Sequence, residues 1–83
     1  MTLTTTEAML VLMDIASSDH PLQEAIEIRV RWRYLLGVAR AAEQGLKLDT
    51  SLPQVYREPQ VIIDRAVPIL DALDGWIAQQ IAA

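Results

Sequence analysis

Between Glu58 and Ala82 the chain places Ile62, Ile63, Ala66, Ile69, Leu70, Leu73, Ile77 and Ile81 on one continuous apolar stripe at the period of an α-helix. A stripe of that length commits the segment to a helix and requires the rest of the chain to supply a surface for it to pack on. No segment alternates with the period of a strand, and no repeat or low-complexity tract occurs. The predicted class is therefore all-α: a three-helix antiparallel bundle in a single domain over 1–83, with helices over about 5–17, 21–44 and 58–82 and a connector over 45–57. Pro68 falls inside the stripe. It removes one backbone hydrogen bond and crowds the carbonyl of Asp64, so a kink or a break near Val67, giving a fourth helix, is expected.

Local punctuation sets where the other helices begin and end. Thr4 and Glu7 have the spacing of a capping box, Thr4 accepting from the Glu7 N–H while the Glu7 carboxylate reaches back. The helix that follows runs through Ala8, Met9, Leu10, Val11, Leu12, Met13, Ile15 and Ala16, apolar on nearly every side, and so needs cover on more than one face. Met9 and Met13, four apart beside Leu10 and Leu12, are read as fillers of core gaps, with a plastic binding surface as the alternative. Ser17-Ser18-Asp19-His20 is a turn, with His20 a polar cap and Pro21 in the first turn of the next helix. Gly45 is placed as the left-handed residue that closes the second helix, with Leu46 folding back onto its last turn. In the connector Leu46, Leu48, Leu52, Val55 and Tyr56 are expected to pack down, and Ser51 to Gln54 has the spacing to open a short helical turn.

With 83 residues and no cysteine, the chain has room for one modest core and offers no disulfide, thiolate or cysteine-bearing zinc site. At 52% hydrophobic and 22% charged it is too apolar for disorder and rich for a lone small domain, so a homodimer or larger homo-oligomer is expected. The net charge of −4 opposes nucleic acid and anionic membrane surfaces, and neither is an expected partner; a basic or neutral protein surface is. The apolar run from Ala8 to Met13 lacks a preceding basic segment and is far shorter than the ~20 residues that span a bilayer. A cytoplasmic location, with no signal peptide or membrane span, is the expectation.

At 100° per residue Arg29, Arg33 and Arg40 line up along one edge of the second helix, while Arg31 sits elsewhere, four residues after Glu27 and spaced for a helical ion pair. Trp32 leans toward the apolar face, so Arg29-Val30-Arg31-Trp32-Arg33 is not one basic patch. Asp64, Asp71 and Asp74 form a matching acidic edge on the last helix, expected to meet the arginine edge within a subunit or across a dimer. Tyr34 and Trp76 fall beside the main stripes, as interface anchors do. The candidate protein-interaction residues are therefore Arg29, Trp32, Arg33, Tyr34, Arg40, Asp71 and Trp76. No catalytic residue, cofactor site or metal-ligand set is read: the lone His20 cannot build a histidine cluster, and Ser17, Ser18 and Ser51 occupy turn or cap contexts.

Arg29, Gly37, Arg40, Asp49 and the pair Arg57-Glu58 resemble, over about a third of the chain, the pattern of the all-helical chorismate mutases. The resemblance implies an alternative function, a small enzyme acting on a dianionic metabolite whose carboxylates and ether oxygen would be held by Arg29, Arg40, Arg57 and Glu58. The pattern departs from that family at Arg40, where a lysine is expected, and in the longer spacing from Asp49 to Arg57. The leading expectation is a non-enzymatic helical interaction module, an adaptor, inhibitor or regulatory subunit of the kind found among intracellular regulators and phage or mobile-element accessory proteins. Binding needs only shape, apolar anchors and complementary charge, whereas catalysis needs converging polar groups.

Overall fold

The computed structural model describes residues 3–47 and 51–82, with side chains from residue 6 onward. It contains four helices, α1 (Leu3–Ala16), α2 (Pro21–Glu43), α3 (Pro53–Arg57) and α4 (Pro59–Ala82), and no strand among the described residues. The all-α class and the three long helices match the sequence reading to within two residues at each end. The fourth helix arises differently from the expectation. α4 runs unbroken through Pro68, and the connector supplies α3 instead.

The reason α4 survives its proline lies in the stripe. Ile62 and Ala66 before it, and Ile69, Leu70, Leu73 and Ile77 after it, are all buried, so a break would lift half of one packed face off its neighbours. Pro68 lies away from that face, and Asp64, whose carbonyl loses its donor, is exposed where water can serve instead.

The helix ends follow the punctuation with local corrections. α1 begins at Leu3, so Thr4 lies inside the first turn rather than before it, and its side chain is outside the described residues. The Glu7 carboxylate goes to Arg65, not to a cap. In the α1–α2 turn, Ser17 Oγ donates to the Asp14 carbonyl at 3.0 Å and the His20 N–H donates to Ser18 Oγ at 3.2 Å. His20 occupies the cap position of α2, but its side chain makes no cap hydrogen bond; its backbone carbonyl accepts from the Glu24 N–H at 3.0 Å. At the other end Gly45 has φ +83°, the Gly45 N–H donates to the Ala42 carbonyl at 3.0 Å, and the Leu46 N–H donates to the Ala41 carbonyl at 2.9 Å. This is the paired-bond helix stop that a glycine makes cheap. The Leu46 side chain stays exposed, although its backbone folds back as expected.

Two core clusters give the helix directions. One joins Ala8 and Ile15 of α1, Ala25 of α2, and Ile69, Leu73 and Ile77 of α4. The other joins Val38 and Ala39 of α2, Val55 of α3 and Ile62 of α4. The start of α2 thus meets the end of α4 and its end meets the start of α4, an antiparallel pair, while the short α1–α2 turn returns α1 alongside α4 in parallel. At 1.5 Å per residue the 14 residues of α1 reach about 21 Å against about 36 Å for α4. α3 closes the end that α1 cannot cover, with Val55 buried and Leu52 and Tyr56 half-buried against the second cluster. Of the connector residues expected to pack down, Leu52, Val55 and Tyr56 do so and Leu46 does not; Leu48 lies outside the described residues.

Candidate functional site

Charged side chains tie the long helices together at two places. Arg29 Nη1 and Arg33 Nη2 each donate to Oδ1 of Asp74 at 3.3 Å. The expected meeting of arginine and aspartate edges is made within one chain, and by Asp74 alone. Asp64 accepts from Gln60 Nε2 at 2.8 Å, while Asp71 and Arg40 are exposed and outside the ion pairs found among the described residues. Arg29 is the more enclosed arginine, and its buried Nε has no described hydrogen-bond partner.

The second place is Arg65, which sequence reasoning left out. Its Nη2 donates to Glu7 Oε1 at 2.6 Å and its Nε to Oε2 at 3.1 Å, a two-pronged contact between α4 and α1. The guanidinium also lies 5.3 Å from the Trp32 ring centre. The hydrogen bonds from Arg65 hold the Glu7 carboxyl below its ordinary range against the opposing effect of burial, and the same contact pushes Arg65 up. No local pattern marks this pair, because its members are 58 positions apart.

The aromatic candidates divide. Trp32 packs against the first core cluster and Trp76 does the same, half-buried rather than standing beside the stripe as an exposed anchor. Position 76 lies on the α4 flank shared with Ile69, toward α1, which is why its ring is drawn in. Tyr34 is exposed. The expected Glu27–Arg31 ion pair does not form: Glu27 accepts from Gln23 Nε2 at 3.5 Å, and both Glu27 and Arg31 are exposed.

Two of the long helices also leave large apolar side chains open on the surface in clusters. On α1, Met9, Leu10 and Met13 are 49%, 55% and 65% exposed. They span an arc of about 100° roughly opposite Ala8 and Ile15, the residues that fasten α1 to the bundle. The methionines thus face outward and do not fill the core as expected. The signal was present in the sequence as a helix apolar all round, but the choice of which face turns inward was not. On α2, Leu22, Ile26, Val30 and Tyr34 form a second exposed row with a four-residue step, Val30 being 62% exposed. α4 differs in arrangement: its exposed Val61, Val67 and Ile81 are spread around and along the helix among Gln60, Asp64, Asp71 and Gly75, and do not share one row.

Two open concavities, of about 640 and 250 Å³, lie at the α1–α2 turn and the first turns of α2, lined by residues between Ser18 and Glu27. Neither includes Arg29, Arg40, Arg57 or Glu58. Arg29 is engaged with Asp74, the other three are exposed, and Asp49 lies outside the described residues. Among the described residues no group of three or more His, Asp or Glu side chains could hold a metal ion, and no helix is long and apolar enough to cross a membrane. Comparison with known proteins finds no matching family model, no matching curated protein and no matching solved structure.

Proposed function

We propose that this chain is a non-enzymatic helical interaction module that engages another protein through the outer face of α1. The supporting observation is that α1 is held by one apolar face, through Ala8 and Ile15, while the opposite face carries Met9, Leu10 and Met13 into solvent. Exposed large apolar residues clustered on one helix face, opposite the face that fastens the helix, mark a contact surface. Methionine and leucine at steps of one, three and four residues suit an apolar groove on the partner, the helix-in-groove mode. Unbranched methionine side chains adapt to an imperfectly shaped partner. The net charge of −4 favours a groove with a neutral or basic rim.

The reading is tested by comparing the wild-type chain with the variant Met9→Glu/Met13→Lys, both tagged, in capture from a lysate of the source cells. One stoichiometric protein is expected with the wild type and none with the variant, while helix content and melting temperature stay unchanged. Equal recovery of the same partner by both chains removes α1 as the contact face. The variant avoids Arg33 and Trp76, whose roles in the fold would blur the result.

A further inference from the structure

We propose that a second copy of this chain docks on the outer face of α2, the two α2 helices antiparallel, with Glu27 of each copy beside Arg31 of the other. The proposal is independent of the α1 face. Leu22, Ile26, Val30 and Tyr34 are exposed and spaced by four, so they form a row inclined to the helix axis. Two such rows, one on each of two helices, interdigitate at a crossing angle near −50°, the commonest helix packing in globular proteins. Around a two-fold axis at the level of Ile28, Leu22 meets the partner's Tyr34 and Ile26 meets the partner's Val30. The open concavity beside Pro21, Leu22 and Ile26 lies where the partner's Tyr34 ring arrives.

Charge selects the second copy as occupant and fixes its direction. Glu27 and Arg31 flank the row on the same side, both exposed, and they make no ion pair with each other within the chain. An antiparallel copy sets each Glu27 within reach of the partner's Arg31, twice per dimer. In a parallel two-fold pair the flank carrying Glu27 and Arg31 faces the partner's opposite flank, so neither Glu27–Arg31 contact forms. Gly37 fits the same arrangement. It is exposed one turn beyond the row, a Cβ there would meet nothing within 4 Å, and glycine in mid-helix is otherwise unfavourable. Its missing side chain leaves room for the partner's α1–α2 turn.

The test is sedimentation velocity over a concentration series on the full chain, on Glu27→Arg, on Arg31→Glu, and on an equimolar mixture of the two variants. The wild type is expected to show a concentration-dependent dimer. Each single variant puts like charges at both contacts and should weaken dimerisation by roughly tenfold with unchanged helix content. The mixture restores both attractions and should dimerise as the wild type does. A wild type that stays monomeric throughout, single variants that dimerise normally, or a mixture that does not recover would each overturn the proposal.

Discussion

Glu7 and Arg65 show how much one pair of residues decides in a chain this small. Their two-pronged contact fastens α1 to α4, and the same guanidinium covers the face of Trp32 from α2, so three helices meet at one cation. Because Arg65 holds the Glu7 carboxyl below its ordinary value of 4.5, the pair contributes stability that is fully present above that value. It is lost as pH falls through the lowered value. Partial exposure limits the contribution to about 1 kcal/mol. Glu7→Gln should therefore be less stable than wild type by about that amount at pH 7, and urea titrations at successively lower pH should show the gap closing below 4.5. A gap that keeps its size in acid would mean that the carboxylate charge contributes nothing. Asp74 makes the complementary point. Helical spacing set Asp64, Asp71 and Asp74 on one edge, and that edge was legible; only the line of closest approach of α2 to α4 chose Asp74.

At the scale of the element, the sequence rules were reliable about what a residue does locally and unreliable when packing overrode it. Gly45 ends α2 as a residue with positive φ should. Pro68 does not end α4, because the buried residues on both sides outweigh one lost hydrogen bond and a crowded carbonyl. Pro68→Ala restores that bond and removes the clash, so it should raise stability by about 1–3 kcal/mol, read as a higher urea midpoint at unchanged slope. No gain would mean that the proline is already relaxed in its place. The same tension explains α1. Its all-round apolarity predicted cover on more than one face, yet the short helix rests on α2 and α4 through one side and leaves the other side open.

The whole molecule measures 42 × 27 × 20 Å, so at its thinnest it is two helix diameters deep and cannot enclose any helix completely. Its accessible surface is 5593 Å², above the roughly 5,000 Å² that size scaling gives for a compact chain of this mass. The excess accords with the apolar rows left on α1 and α2. The two core clusters are unequal, since the second relies on a helix of five residues for one of its walls. Native-state hydrogen exchange should therefore find the amides of α3 opening locally, at a free energy well below that of the central amides of α2 and α4 around Leu35 and Leu73. Equal protection in all three helices would show one indivisible cooperative unit instead.

The sequence by itself determined the helical class, the places where helices stop, and the stripe on which the bundle is built, because these depend on periodicity, caps and turn chemistry within a few residues of one another. Only the tertiary structure decided which side of α1 is core, which aspartate receives the arginines, that Trp76 turns inward, that α4 continues through its proline, and that Glu7 pairs with Arg65. Each of those outcomes depends on distances between segments far apart in the chain, and no local pattern carries that information.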